Sequence, residues 1–221
     1  MFLSKKLANA ENEENKEAAM DLVNLISLAA PSDEPKIRVT GIYGDINEEK
    51  CSQAIYEILI LKNTCTEKTL VDPEDPESEI VEIKYPIDFY ISTFGGSAAD
   101  MFAVYDLIRN TREECPIHTY GVGKVMSAGV LLLASGTKGE RRIGKNCRIM
   151  IHGVISGQHG HLQDVENEFE EAKLTQKLYI KALAEETNMT ERYLKRLVQR
   201  KTNVYLAAEE AVELGIADII F

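Results

Sequence analysis

The chain alternates short apolar runs with longer segments in which apolar positions recur every three or four residues. Compact runs rich in β-branched and aromatic residues predict strands, and the wider spacing predicts helices. We predict strands over residues 36–44, 87–93, 117–122 and 147–153. We predict helices over residues 47–63, 97–111, 123–136 and 162–188, followed by shorter helices over 189–200 and 207–215. Strands that alternate with helices favour an α/β domain with a largely parallel, buried sheet.

Two polar segments fall outside this alternation. Residues 1–35 are mostly polar and acidic, and we predict a tail that carries a short docking segment. Residues 72–79 read DPEDPESE, and two prolines among five acids predict a solvated loop. The expected organisation is a divergent N-terminal tail over 1–35 and one domain over 36–221.

Composition narrows the class of protein. A chain of 221 residues that is 44% hydrophobic can bury a full core. The net charge of -11 argues against nucleic acid or an anionic membrane surface as the main partner. No apolar stretch is long enough to cross a bilayer, and the N-terminus lacks the apolar core of a secretory signal, so we expect a cytoplasmic protein. The four cysteines form no CxxC pair and are interpreted as reduced thiols.

Two local patterns carry candidate chemistry. Gly95 and Gly96 follow a predicted strand and precede a helix, where open N–H groups can hold an anion or a developing oxyanion. A plain tight turn is the simpler interpretation of such a pair. Ser127 stands at a predicted strand-to-helix junction, where it is either a nucleophile beside the N–H of Ala128 or a helix cap. The GxSxG motif is absent, because Val125 occupies the place of its first glycine.

The histidines offer a candidate base and a candidate metal pair. His152 ends a predicted strand, and sites in open α/β sheets form where strands end, although a lone histidine there is more often structural. His118 is a further alternative. His159 and His161 form an HxH pair in a glycine-rich loop, but no acidic or cysteine ligand is spaced to complete a metal site. We therefore expect neither a metal nor another cofactor.

Several segments stand in a characteristic order along residues 36–221. They are Gly95-Gly96 after a strand, YDLIRNT, GKVMSAGVLLLASGTKGERR, NCRIMIHG, a long helix and YLAAEEAVELGIAD. In this order and spacing they resemble the ClpP peptidase family. The resemblance covers nearly all of the chain except its N-terminal tail.

The resemblance implies a serine peptidase of the ClpP/crotonase fold. It implies subunits that form two stacked seven-membered rings, a tetradecamer, around a proteolytic chamber. A Clp AAA+ unfoldase and other ClpP-like subunits are the partners it implies. By position, Ser127 becomes the nucleophile and His152 the general base, and the N–H groups of Gly96 and Ala128 become the oxyanion hole. The helix over 162–188 becomes the handle that pairs the rings.

The segment after the histidine is expected to bind substrate. The family's proline is missing from HGVISG, and this glycine-rich segment can still pair with an extended peptide through backbone hydrogen bonds. The residues that we assign to this contact are Gly153, Val154 and Ser156.

The chain departs from the family pattern at the third triad position. Asn203 stands where the family has an aspartate, whose carboxylate orients the histidine and stabilises the imidazolium. Loss of this charge in a serine protease lowers kcat by ~10⁴, so we expect slow or conditional peptidase activity. Phe94 replaces the proline before the glycine pair, Thr202 replaces an arginine that helps to lock the rings, and the acidic insertion at about 64–86 has no counterpart.

Three functions therefore remain open from the sequence. The first is a divergent ClpP-type serine peptidase with weakened activity. The second is a catalytically inactive ClpP-like structural subunit of a homo- or mixed ring, which Asn203 favours. The third is an acyl-CoA enzyme of the crotonase type, against which the paired Ser127 and His152 argue.

Overall fold

The computed structural model describes residues 37–72, 78–199 and 203–221. The predicted tail over 1–35 lies outside the described residues, as do Thr202 and most of the predicted loop over 72–79. These described residues belong to two compact units. The larger unit consists of Arg38–Lys68 and Glu82–Phe221 and carries every candidate site residue. In the smaller unit, the Val71 N–H donates to the Glu79 carbonyl at 2.9 Å.

Nine strands and six helices are formed by the described residues. The strands are β1 Val39–Tyr43, β2 Thr66–Leu70, β3 Ile80–Lys84, β4 Ile87–Thr93, β5 Ile117–Met126, β6 Arg142–Ile143, β7 Arg148–Ile151, β8 Val204–Leu206 and β9 Ile219–Ile220. The helices are α1 Glu48–Lys62, α2 Ala98–Thr111, α3 Ala128–Ala134, α4 Leu162–Glu186, α5 Glu191–Gln199 and α6 Ala208–Glu213.

Seven of these strands form one sheet in which all pairs but one are parallel. The main path runs β1-β4-β5-β6-β9, and β7 pairs with β5 on one side and with β8 on the other. Among the described pairs of this sheet, β7–β8 is the antiparallel one. The predicted α/β fold with a largely parallel sheet is thus confirmed, as is the long helix, here α4. Strands β2 and β3 form a separate two-stranded sheet.

The core is formed by buried strand residues and by helix α3. Ile87, Phe89 and Ile91 of β4 are fully buried, whereas Asp88 and Tyr90 between them are partly exposed, so over these residues β4 turns one face to the core. Helix α3 is buried along its whole length, because it lies against the sheet next to β4 and β5. Ser97 caps helix α2, because its side chain accepts a hydrogen bond from the Asp100 N–H at 3.3 Å.

The predicted helix over 123–136 is partly wrong. Residues 123–126 continue β5, and α3 begins only at Ala128. Val125 pairs with Thr93 of β4 and with Ile149 of β7, so strand partners on both sides hold this segment extended. Strands β2, β3, β6, β8 and β9 were not predicted, because they are short or lie in charged segments that carry little periodic signal.

The predicted reduced thiols are the four cysteines Cys51, Cys65, Cys115 and Cys147. All four cysteines are free and buried. Burial raises the pKa of the Cys147 thiol to about 11, so this thiol stays protonated. None of the described helices combines the length and the apolar character that a membrane crossing requires.

Candidate active site

Ser127 occupies a strained backbone conformation between β5 and α3. Its φ is 54° and its ψ is -122°, and it is the one residue other than glycine with a positive φ among the described residues. Such conformations persist only where the surroundings hold them, and they cluster at functional sites. The Ser127 side chain makes no capping hydrogen bond, so the helix-cap interpretation of this serine is wrong.

Three hydrogen bonds hold the main chain of Ser127. Its N–H donates to the Met150 carbonyl of β7 at 2.7 Å. Its carbonyl accepts from the Val130 N–H at 3.0 Å and from the Tyr179 hydroxyl of α4 at 2.9 Å. Sheet, helix α3 and helix α4 therefore all contact this one residue.

Gly95 and Gly96 must be glycine for different reasons. Gly95 has a φ of +107°, and a Cβ added to it would lie 2.6 Å from the Ser127 Cβ and 3.0 Å from its Oγ. Gly96 forms a parallel bridge with Ile46, and a Cβ there would lie 2.1 Å from the Ile46 carbonyl oxygen. Only glycine fits at either position without displacing its neighbours.

Two N–H groups border the serine without a role in the sheet. The Gly96 bridge uses the Ser97 N–H and the Gly95 carbonyl, each 2.9 Å from its partner on Ile46, and leaves the Gly96 N–H outside it. Ala128 is the first residue of α3, where helix geometry provides no partner for the N–H. Gly96 and Ala128 line the same cavity as Ser127.

His152 follows directly after β7 and shares this cavity with Ser127. The cavity has a volume of about 390 Å³. Its lining residues are Phe94, Gly96, Ser97, Ala98, Met101, Ser127, Ala128, His152, Gly153, Val154, Ile155, Thr175 and Tyr179. Ser127 and His152, which the sequence analysis assigns to one candidate site, therefore line one cavity.

Asn203 lies beside His152 but outside the cavity of Ser127. The antiparallel register ends with the pair Ile151 and Val204; His152 follows the first of these residues in the chain, and Asn203 precedes the second. Both residues line a second cavity of about 360 Å³, together with Gln176 of α4. The described lining of this second cavity contains two side-chain amides, Gln176 and Asn203, and no carboxylate.

The expected substrate-binding segment has no regular secondary structure over residues 152–159. Gly153 and Val154 line the Ser127 cavity, whereas Ser156 lines a neighbouring cavity beside Phe169. The Val154 N–H donates to the Gln176 Oε1 at 3.2 Å. This N–H is therefore already satisfied in the absence of a peptide.

Three α4 residues at the site were missed from the sequence. Thr175, Gln176 and Tyr179 lie within about one turn of the helix, and each lines one of the two cavities. Their helical spacing was visible, but it does not reveal which neighbouring segment the helix side would contact. Phe94 was noted only as a departure, yet it lines the Ser127 cavity and carries the Lys124 ammonium 4.6 Å from its ring centroid.

The other histidines lie elsewhere. His118 sits between two carboxylates, with its Nδ1 3.5 Å from Asp88 and its Nε2 3.8 Å from Glu140, and it does not line the Ser127 cavity. His159 and His161 are exposed. Within residues 37–72, 78–199 and 203–221, no group of three or more His, Cys, Asp or Glu side chains is arranged to hold a metal ion.

The family model and the relatives that match this chain point to the same family. Residues 78–221 match the sequence model of the Clp protease family. One relative, the ATP-dependent Clp protease proteolytic subunit 1 of Prochlorococcus marinus subsp. pastoris, is 34% identical over 154 residues, which cover 68% of this chain and 71% of the relative. The subunit of the same name from Prochlorococcus marinus strain MIT 9312 is 28% identical over 183 residues, which cover 83% of each chain.

Proposed function

The chain belongs to the Clp protease family, and we propose that it is a serine peptidase subunit in which Ser127 is the nucleophile and His152 the general base. The observation that carries this proposal is the strained backbone of Ser127 directly before α3, together with the cavity that Ser127 and His152 both line. A strained backbone costs stability, and such strain clusters at active sites, where it holds a reactive side chain in the geometry that the reaction needs.

The reaction that follows is acyl transfer to serine and then to water. His152 takes the Ser127 hydroxyl proton while Oγ attacks the peptide carbonyl, and it returns that proton to the departing amine. Water then attacks the acyl-serine and gives a proton to His152, which passes it to the Ser127 Oγ as the acyl–oxygen bond breaks and the second peptide fragment leaves.

The developing oxyanion is bound by the N–H groups of Gly96 and Ala128. Supporting this assignment, neither N–H is used in the pairing that surrounds it, and both residues border the serine. Fixed N–H donors at such a position stabilise the tetrahedral intermediate without reorganisation.

The activity that we propose is weakened by Asn203. An amide adjacent to His152 supplies no negative charge to the imidazolium that forms during attack. A slow or conditional peptidase is therefore the specific form of the proposal. The same observation favours a second candidate function, an inactive subunit that contributes only structure to a ring.

Assembly with other subunits is part of the proposal. The relatives are named as proteolytic subunits of an ATP-dependent protease, so we infer that this chain also acts in a complex with an ATP-driven partner. Exposed apolar side chains on α1 and α4 support contacts with further copies, in stacked seven-membered rings. They are Tyr56, Leu59 and Ile60 on α1 and Leu162, Phe169, Leu174 and Leu178 on α4.

Covalent labelling of the serine tests the proposal. The protein is treated with a fluorophosphonate, intact mass and peptide mapping locate the adduct, and Ser127→Ala is the control. Native mass of the same sample reports assembly. An adduct at Ser127 supports the peptidase, whereas assembled rings without an adduct would identify the structural subunit instead.

A further inference from the structure

One turn of α4 is bonded to both halves of the candidate site. The Tyr179 hydroxyl donates to the Ser127 carbonyl at 2.9 Å, and the Gln176 Oε1 accepts from the Val154 N–H at 3.2 Å. A separation of three residues sets both side chains on the same side of the helix. The helix therefore contacts the segment of the nucleophile and the segment of the base at neighbouring points.

On the side of the nucleophile, Tyr179 supports a strained residue. Tyr179 is only 6% exposed, so its hydrogen bond is shielded from water and strengthened by the low local dielectric. Burial raises the pKa of the Tyr179 phenol far above its ordinary value, which keeps the hydroxyl a donor at neutral pH. The bond thus helps to hold Ser127 at its positive φ.

On the side of the base, Gln176 holds a segment that has no strand partner. Residues 152–159 form no regular secondary structure, and the Val154 N–H relies on the Gln176 side chain. Val154 lies two residues after His152, so this bond restrains the chain next to the imidazole. The usual carboxylate that would orient the ring is replaced by Asn203.

We propose that Gln176 and Tyr179 are positioning residues that fix the Ser127 and His152 segments to a single turn of α4. They maintain the relative placement of serine and histidine where no carboxylate orients the ring. The kinetic consequence rests on the proposed peptidase function, whereas the two hydrogen bonds are testable without it.

Labelling kinetics test the serine side. Tyr179→Phe removes only the hydroxyl, so the maximal rate of fluorophosphonate labelling, kinact, should fall about 5- to 10-fold while KI stays unchanged. The matched control is Tyr105→Phe, which removes an equally buried hydroxyl that donates to Glu186 at 3.4 Å, away from the Ser127 cavity. The control should label like the wild type. If Tyr179→Phe also labels like the wild type, the serine half of the proposal is wrong.

Amide hydrogen exchange tests the histidine side. In Gln176→Met the Val154 amide should exchange about 2- to 10-fold faster, because its acceptor is removed. The control is Gln53→Met on α1, where the Gln53 amide donates to Glu57 at 2.9 Å. Gln53→Met should leave exchange at Val154 unchanged. Unchanged exchange at Val154 in Gln176→Met would exclude the bond in solution and overturn the histidine half.

The two experiments separate the inference from the proposed function. If the wild type does not label at all, the peptidase proposal fails, and exchange alone decides on the two positioning residues. Faster exchange over residues 126–130 in Tyr179→Phe, together with faster exchange at Val154 in Gln176→Met, would then support them. Unchanged exchange in both variants would overturn them.

Discussion

The cluster around Glu186 and the cavity of Ser127 differ in whether charged side chains have partners of opposite charge. Glu186 is 1% exposed, yet Arg112 donates to its two carboxylate oxygens at 2.9 and 3.1 Å and the Lys138 ammonium lies 3.1 Å away. Arg141 donates to its main-chain carbonyl at 2.7 Å, and Arg109 lies 3.4 Å from the carboxylate. Every charge in this cluster has a partner.

The Ser127 cavity lacks such compensation. His152 lines one cavity with Ser127 and a second cavity with two amides, Asn203 and Gln176, and the described lining of neither cavity contains a carboxylate. The comparison shows that this fold holds a buried carboxylate, Glu186, where cations surround it, whereas an amide, Asn203, stands near His152. The missing negative charge near His152 is therefore explained by the residue type at position 203.

Restoring the carboxylate beside His152 should have the largest effect. Asn203→Asp adds a negative charge at an exposed position that lines a cavity together with His152, so it should raise peptide turnover or fluorophosphonate labelling by as much as ~10⁴-fold. Labelling rates measured on assembled protein check this expectation. Asn203→Ala is the control, since it lacks both the amide and the charge. Equal rates for Asn203→Asp and Asn203→Ala would show that the third position does not act on His152.

Removing the Glu186 carboxylate from its cluster should have the next largest effect, and this effect is on stability. Glu186→Gln removes the buried carboxylate that pairs with Arg112 and Lys138, which should lower the free energy of unfolding by about 3–5 kcal/mol. Urea unfolding at fixed protein concentration measures this change. Glu185→Gln is the neighbouring control, because its carboxylate is exposed and pairs at the surface with Arg109 at 2.9 Å and with Lys181 at 3.8 Å. It should change stability by less than about 0.5 kcal/mol. Similar losses in the two variants would contradict the assigned role of Glu186.

Sequence reasoning predicted where Ser127 and His152 lie in the fold, but not which side chains of α4 lie beside them. The order of strands and helices placed Ser127 at a strand-to-helix junction and His152 at a strand end, and both are there in the structure. Tyr179 and Gln176 escaped notice, because helical periodicity identifies a buried side but not the segment that it meets. The extension of β5 through residues 123–126 was missed, since pairing with two strands outweighs the local helical signal.

A clash at the serine should have a smaller effect than either charge change. Gly95→Ala sets a Cβ 2.6 Å from the Ser127 Cβ and should slow labelling about 10²-fold through displacement of the nucleophile. Gly139→Ala is matched for backbone strain, because Gly139 has a φ of +88° but no atom within 4 Å of the added Cβ. Both variants should lose about 1–3 kcal/mol of stability, and only Gly95→Ala should lose labelling. Equal labelling by the two would show that the Gly95–Ser127 contact does not position the serine.

The smallest expected effect is the pH dependence of the Glu186 contribution. Burial alone would raise the pKa of Glu186, but hydrogen bonds and charge from Arg112, together with Lys138, bring it below its ordinary value. A carboxyl with a lowered pKa in the folded state stabilises the protein above the unfolded value of ~4.3, and this stabilisation is lost as the pH falls through the folded pKa. The stability difference between wild type and Glu186→Gln should therefore be constant near neutral pH.

Below the unfolded glutamate value of ~4.3 that difference should shrink by up to about 1.4 kcal/mol for each pH unit. Urea midpoints of wild type and Glu186→Gln across this range measure it. Asn203→Ala provides the contrast between the two regions, because it removes no titrating group, and its stability difference from wild type should stay flat over the same range. A parallel loss in Asn203→Ala would mean that acid acts on the protein as a whole, and the assignment of the compensated charge to the Glu186 cluster would not hold.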